Sequence, residues 1–193
     1  MSPQAVDHRR ATAERNAAAI LDATERLVAS GATLSMAGVA VEAKVSRPTL
    51  YAHFPSLGAL VEAAVARVIE SSLSALQAAQ PDLGPADEAL QRVLGASWTE
   101  IAKQDGLARA AAEHLPAARL HAQHAPLMGQ LAELLRRGQK EGTIRKDLPV
   151  EWLVRSYVAL VHAADDYART RGLKRSEARA HLALTMRDLV AVR

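Results

Sequence analysis

The sequence has 193 residues, of which 49% are hydrophobic and 23% are charged, with a formal net charge of +3. This composition provides enough apolar surface for a folded core and excludes intrinsic disorder. The chain contains no cysteine, which excludes a disulfide framework, a zinc–thiolate site and a cysteine nucleophile. Charged side chains interrupt every long apolar stretch and the first fifteen residues are polar. We therefore expect no membrane span, no signal peptide and a cytoplasmic protein.

The residue pattern is helical throughout. Aromatic residues make up only 3% of the chain, alanine is abundant, and no long apolar–polar alternation of the kind found in strands is present. The sequence therefore predicts an all-α protein of about nine helices. After an arm over residues 1–13, the predicted helices run from residue 14 to Gly31, over 35–43, 46–54, 57–79, 87–104 and 107–124 (interrupted by Pro116), from Pro126 to Gly142, and over 149–171 and 176–192.

Two of the short helices carry their own start signals. Ser35 and Ser46 are expected N-cap residues, whose hydroxyl groups accept hydrogen bonds from the first turn of a helix. Pro48 lies in the first turn of the second helix, where its missing N–H costs little. The turn between the two helices is short, which leaves them crossed. The pattern predicts a helix-turn-helix whose second helix enters the major groove of DNA.

Residues 31–56 resemble the DNA-binding domain of the TetR family of bacterial repressors, and the likeness extends over about residues 14–69. Its most specific element is Thr-Leu-Tyr-x-His-Phe-x-Ser at residues 49–56. The segment 142–147 also resembles the family's usual entry into its eighth helix. We therefore divide the chain into a flexible arm (1–13), a helix-turn-helix DNA-binding domain (14–57) and a helical ligand-binding and dimerisation domain (58–193).

The resemblance implies roles for individual side chains of the helix-turn-helix. Arg47 has the geometry for a bidentate contact to a guanine edge, and the Pro48 ring can pack on a thymine methyl group. The hydroxyl and imidazole groups are expected at phosphates. Three alternatives remain: Tyr51 as a core-edge aromatic, Arg47 as a solvated side chain or a phosphate clamp, and Lys44 as an exposed turn residue. The expected DNA-binding set is Ser35, Lys44, Ser46, Arg47, Pro48, Thr49, Tyr51 and His53.

Three positions depart from the family pattern. Lys44 stands in the turn where the family usually has glycine, so a left-handed backbone there would cost roughly 1 kcal/mol. Leu57 replaces the usual lysine that touches phosphate at the start of the fourth helix, and Gly58 replaces an acidic residue. One cationic contact is thereby lost, and Lys44 is the side chain that could partly restore it.

The second half of the chain holds the candidate ligand-binding residues. Trp98, His114, Met128, Tyr157 and His162 are the side chains that a pocket could use, although core or dimer packing is an equal or better explanation for the aromatic ones. A metal site built on His121 and His124 lacks a firm ligand motif, and Asp165 is expected to pair with Arg169 on the helix surface. We expect no metal, no cofactor and no catalytic residue, since no nucleophile–base pair is present.

These features together predict a homodimeric, ligand-responsive transcriptional regulator. We expect a repressor that is released from a near-palindromic DNA operator by a small, largely apolar effector, and that dimerises through its two C-terminal helices. Two alternatives remain at this stage. An all-helical dimerisation or adaptor protein without DNA binding would use the second short helix for another partner, and a small helical enzyme would use the histidines of the second half.

Overall fold

A computed structural model of the protein describes residues 3–101 and 106–192 and is helical over most of that length. Within these ranges it contains nine α-helices and no strand, which confirms the predicted fold class. None of the described helices is long and apolar enough to span a membrane. The helices are α1 (Pro3–Ala29), α2 (Met36–Glu42), α3 (Arg47–His53), α4 (Leu57–Ala78), α5 (Ala86–Ile101), α6 (Leu107–His114), α7 (Ala117–Glu141), α8 (Val150–Arg171) and α9 (Arg175–Val190).

The first helix begins eleven residues earlier than the sequence pattern indicated. Residues 3–13, assigned above to an arm, are helical in the structure. The arm was inferred from missing apolar periodicity, but helix formation does not require an apolar face where helix-forming residues and local pairs suffice. Arg10 forms an ion pair with Glu14 one turn away, and the Thr12 hydroxyl donates to the carbonyl of His8 at 2.9 Å.

Pro126 lies inside a helix, and the prediction that a helix begins there was wrong. Helix α7 runs from Ala117 to Glu141 without a break. A proline in a helix interior removes the hydrogen bond to the carbonyl four residues earlier and costs about 3 kcal/mol. The helix tolerates this cost because its later turns bury Leu131, Leu134 and Leu135 in a core. The predicted last residues of α5, 102–104, lie outside the described part of the chain.

The helices form two compact units. The first contains α1, α2, α3, α4 as far as Arg67, and the segment from α6 to His121 in α7. Its core includes the fully buried Ile20 of α1, Leu50 of α3 and Leu60 of α4. The predicted boundary lies at 57/58, whereas the first unit includes α4 as far as Arg67 and also α6, which lies much later in the chain.

The second unit contains α4 from Val68, α5, α7 from Ala122, α8 and α9. Arg175, in the first turn of α9, ties three of these helices together. Its guanidinium lies 4.6 Å from the ring centroid of Trp98 in α5 and donates to Asp165 of α8 at 2.5 Å. The predicted pairing of Asp165 with Arg169 is therefore wrong, and Arg169 pairs with Asp166 instead. Spacing along one helix could not reveal a partner on another.

A close backbone approach within the first unit determines which residue can stand at position 106. Gly106 has a left-handed backbone (φ +82°), and a Cβ atom built on it would lie 2.1 Å from the carbonyl oxygen of Val28. No side chain fits there without moving the end of α1. The start of α6 is thereby held against the end of α1.

We predict that Gly106→Ala destabilises the protein by about 3 kcal/mol or more, because left-handed strain and steric overlap add. Urea denaturation followed by circular dichroism measures the change. Gly31→Ala is the matched control, since Gly31 has a similar φ of +74° and no atom within 4 Å of the added Cβ. That variant should lose only about 1 kcal/mol, and equal losses in the two variants would contradict the steric argument.

Candidate DNA interface and ligand-binding residues

The first helix of the predicted helix-turn-helix begins as expected. Ser35 has extended backbone angles (φ −148°, ψ 150°), and its hydroxyl oxygen accepts a hydrogen bond from the N–H of Gly38 at 3.1 Å. This arrangement satisfies one of the backbone donors that a helix leaves free at its N-terminus. Ser35 is exposed, so its hydroxyl remains accessible to an external group.

The turn between α2 and α3 is a Schellman-type C-cap centred on a lysine. The N–H of Val45 donates to the carbonyl of Ala40 at 3.0 Å and the N–H of Lys44 donates to that of Val41 at 3.1 Å, which are the two bonds that define this motif. Lys44 has a φ of +56°. The expectation of a left-handed residue in this turn is confirmed, and its side chain is exposed.

Helix α3 begins at a second serine cap. The hydroxyl oxygen of Ser46 accepts from the N–H of Thr49 at 3.2 Å and lies 2.7 Å from the Thr49 hydroxyl. Two predicted phosphate contacts therefore already bond to each other, and Thr49 is only half exposed. Pro48 occupies the first turn of the helix as predicted.

One face of α3 is buried and the other faces away from the unit. Leu50 is fully buried and anchors the helix, whereas Arg47, Pro48 and Tyr51 are exposed. His53 is half-buried, with its ring centroid 6.3 Å from that of Phe54. The two residues expected at base edges, Arg47 and Pro48, are thus accessible, and so is Tyr51, which is expected at a phosphate.

Packing accounts for two of the departures from the family pattern. Leu57 is half-buried against the core of the first unit, so this position contributes apolar contact instead of a cation. A Cβ atom on Gly58 would lie 3.4 Å from the carbonyl oxygen of His114, so the missing side chain admits the end of α6. A long acidic side chain would crowd this backbone.

Two residues near this surface were missed by the sequence analysis. Ser56 caps α4, because its hydroxyl oxygen accepts from the N–H of Ala59 at 3.1 Å; a serine directly before an apolar helix was an available signal. Val41 in α2 is 80% exposed, and nothing in the sequence distinguishes it from the buried Val39 except its phase on a short helix.

The five candidate ligand residues do not form one group. His114 lies in the first unit and the other four lie in the second. Trp98 and Tyr157 are buried in the core of the second unit, and Met128 packs against that core. The Tyr157 hydroxyl donates to the Ser97 hydroxyl oxygen at 3.0 Å, and burial raises the pKa of Tyr157 above its ordinary value.

His162 lies on α8, where the surrounding protein partly desolvates its imidazole. This desolvation lowers its pKa from the ordinary value; Asp165 opposes the shift electrostatically, and the neighbouring His124 adds to it. Among the residues that the structure describes, no group of three or more histidine and acidic side chains is arranged to hold a metal ion.

The second unit also has a surface groove and an exposed apolar surface. The groove encloses about 430 Å³ beside the loop before α8 and contains none of the five candidate ligand residues; Gly142, Ile144, Arg145, Lys146, Asp147 and Val192 line it. Arg145 is buried and bonds to both carboxylate oxygens of Asp147. Large apolar side chains are exposed on the two C-terminal helices, namely Trp152, Tyr167 and Leu184.

Comparison with known proteins assigns both parts of the chain. The model of bacterial regulatory proteins of the tetR family matches residues 20–64, and the model of the SbtR-like transcriptional regulator C-terminal domain matches residues 85–190. The transcriptional repressor LfrR of Mycolicibacterium smegmatis is 36% identical over 81 residues, which span 42% of this chain and 43% of that protein. The sequence match thus covers less than half of LfrR.

Solved structures extend the likeness to the whole fold. LfrR from Mycobacterium smegmatis, solved in complex with proflavine, superposes with a TM-score of 0.75 at 25% identity over 92% of this chain and 97% of that one. A TetR-family transcriptional regulator from Agrobacterium tumefaciens superposes with a TM-score of 0.76 at 19% identity, over 93% of this chain and 99% of that one. At the lower identity the likeness shows the fold alone.

We predict that Lys44→Gly stabilises the protein by about 0.5–1 kcal/mol, because glycine adopts a left-handed φ without the steric cost that lysine carries. Chemical denaturation measures the change. Arg136→Gly in the interior of α7 is the control, because Arg136 is exposed; there glycine should destabilise by about 1 kcal/mol. A loss of stability in Lys44→Gly would mean that the turn gains more from the lysine side chain than it loses in backbone strain.

Proposed function

The chain belongs to the TetR family of bacterial regulatory proteins, and from this premise we propose that it is a homodimeric repressor released from a near-palindromic operator by a small, largely apolar ligand. It is a DNA-binding regulator of transcription. The observation that carries the proposal is the pair of serine-capped helices α2 and α3, joined by a tight turn, with Arg47, Pro48 and Tyr51 exposed on α3.

Base recognition and phosphate binding fall to different side chains in this proposal. Arg47 and Pro48 contact base edges in the major groove, because they lie in the first turn of the recognition helix α3. Tyr51, Lys44 and Ser35 contact phosphates, which supply most of the affinity. Ser46 and Thr49 bond to each other, so they hold the N-terminal cap of α3 in place. His53 contacts a phosphate from the C-terminal end of α3.

Dimerisation uses helices α8 and α9. Their exposed Trp152, Tyr167 and Leu184 would be covered in a four-helix arrangement with a second copy, which supports this pair of helices as the interface. A two-fold dimer carries two α3 helices about one turn of DNA apart, and this spacing requires a near-palindromic operator.

The effector binds in the second unit, where Trp98, Met128, Tyr157 and His162 remain the proposed contacts. LfrR, a relative solved with proflavine, supports a small organic molecule as the effector class. Helix α4 belongs to both units, so a ligand that favours one arrangement of α4 changes DNA affinity. A coupling of about 1–3 kcal/mol corresponds to a 5–150-fold change in affinity.

In this proposal the protein binds DNA and an effector and catalyses no reaction. The adaptor alternative is disfavoured by the family match over the helix-turn-helix, and catalysis has no assembled nucleophile–base pair among the described residues to support it. A bacterial regulator of transcription acts on DNA in the cytoplasm, and we place the protein there on that ground.

We predict that Arg47→Ala and Tyr51→Phe have different effects on DNA binding. Arg47→Ala should cost about 1–3 kcal/mol at particular base pairs and relax the preference there, because a bidentate base contact is lost. Tyr51→Phe should weaken binding to all duplexes by a similar factor, because only a phosphate hydrogen bond is lost. Fluorescence anisotropy on duplexes covering the DNA beside the protein's own gene measures both variants.

A scrambled duplex of equal length, titrated at two salt concentrations, is the control. The native protein should prefer the duplex that covers the DNA beside its own gene, the upstream duplex, over the scrambled one by about 10³-fold or more. An unchanged base preference in Arg47→Ala would remove this arginine from base recognition, and no salt-dependent binding of the native protein to any duplex would overturn the proposed function.

We predict that Leu184→Asp converts the dimer to a monomer at micromolar concentration and abolishes the operator preference, because a charge is buried without a partner in the interface. Sedimentation equilibrium gives the oligomeric state. Leu83→Asp is the matched control, since Leu83 is similarly exposed (61% against 51%) but lies outside α8 and α9. A dimeric Leu184→Asp protein would place the interface elsewhere.

A further inference from the structure

Among the side chains that the structure describes, the first half of α1 contributes none to the core of the first unit. The residues of α1 that enter the core begin at Ile20, although the helix begins at Pro3. The described side-chain hydrogen bonds of this half connect residues of α1 itself, as in Arg10 to Glu14 and Arg15 to Thr12. Arg10 and Arg15 are both exposed, so their charges are accessible to an external group.

Contacts between α1 and α4 indicate where this segment points. Leu60, near the start of α4, shares a core cluster with Ile20. Further along α4, Arg67 donates to Asp22 at 2.7 Å and to Glu25 at 3.1 Å. Later residues of α4 thus lie beside later residues of α1, so the two helices run in the same direction. The N-terminal half of α1 therefore extends towards the N-terminal end of α4.

The length of this extension follows from helix geometry. Leu57 precedes Arg67 by ten residues, or about 15 Å at 1.5 Å per residue. The same distance back along α1 from Asp22 reaches residue 12. Residues before 12 therefore extend past the level of Leu57, the position at which this chain lacks the phosphate-binding lysine of the family pattern.

Arg10 lies on the correct side of this extension. Positions 10, 21 and 28 fall on one line of an α-helix, because 11 and 18 residues complete almost whole numbers of turns. Val28 is buried and Leu21 packs against the core of the first unit. Arg10 continues the line that faces the unit, whereas Arg15 lies about 140° around the helix from it.

The charge of Arg10 is available to an external anion. Its partner Glu14 lies at 3.0 Å, but the two side chains are 79% and 66% exposed. An exposed ion pair of this kind contributes about 0–1 kcal/mol, so exchanging the carboxylate for a DNA phosphate costs little. Phosphate recognition by arginine is charge-assisted and geometrically favourable.

We propose that the N-terminal half of α1 is a second DNA-contacting element, in which Arg10 binds a backbone phosphate of the operator duplex and supplies the cationic contact that Leu57 lacks. This inference rests on the proposed function, because the direction in which DNA lies is taken from it. The contact adds affinity without sequence preference, since a phosphate carries no base information.

The test compares Arg10→Gln with Arg15→Gln on the upstream and scrambled duplexes, by anisotropy over a series of salt concentrations. Each phosphate contact adds about 0.9 to the log–log salt slope, so Arg10→Gln should flatten it by about 0.9 per protomer and about 1.8 for the dimer. At 0.1 M salt the affinity should fall about eightfold per contact. Arg15→Gln removes the same charge and should leave the slope unchanged.

Equal salt slopes for the native protein and Arg10→Gln would overturn the inference. An equal flattening of the slope in Arg15→Gln would also overturn it, because it would indicate a general charge effect. A native protein that binds the upstream duplex specifically while Arg10→Gln is unaffected leaves the proposed function standing and removes only the inference. A native protein that binds no duplex removes both.

Because the chain contains no cysteine, a single introduced cysteine can report whether its position lies close to the DNA. Arg10→Cys and Arg15→Cys each create one site for a photocrosslinking reagent. We expect efficient crosslinking to the duplex from position 10 and weak crosslinking from position 15; equal or reversed yields would contradict the proposal.

Discussion

The close approach of Gly106 to the carbonyl of Val28 is the constraint on which the first unit depends. Glycine meets both requirements at this position, a left-handed φ of +82° and no Cβ atom. It allows α6 to pack against the end of α1, although more than seventy residues separate them in sequence. Arg119 at the start of α7 then bonds to both carboxylate oxygens of Glu62 in α4. The DNA-binding unit is therefore completed by a segment from the second half of the chain.

Features that depend on a few neighbouring residues could be predicted from the sequence. The caps at Ser35 and Ser46 and the left-handed turn at Lys44 are of this kind, because a cap or a C-terminal turn is decided by the residues that form it. The start of α1 and the passage of α7 through Pro126 were not predicted. At the start of α1, helix propensity and local side-chain pairs outweigh the missing apolar periodicity, whereas in α7 the packing of later turns outweighs Pro126.

In the candidate site, too, the sequence predicted only the features that depend on a few neighbouring residues. The exposed face of α3 follows from the burial of Leu50, which periodicity indicates. The bond between the Ser46 and Thr49 hydroxyls and the packing of Leu57 depend on side-chain positions that residue types do not reveal. The ligand residues illustrate the limit most clearly, since His114 lies in a different unit from Trp98 and Tyr157, and separation along the chain does not indicate this.

Helices α4 and α7 belong to both units, and they differ in whether their backbone hydrogen bonds are complete near the boundary. Helix α4 passes from Arg67 to Val68 among residues that can all donate backbone hydrogen bonds. Helix α7 passes from His121 to Ala122, and Pro126 cannot donate to the carbonyl of Ala122, so one bond of the ladder is missing there. A helix bends most easily where such a bond is absent. In the proposed mechanism, a ligand in the second unit therefore acts on the DNA-binding unit chiefly through α4, while α7 accommodates the change.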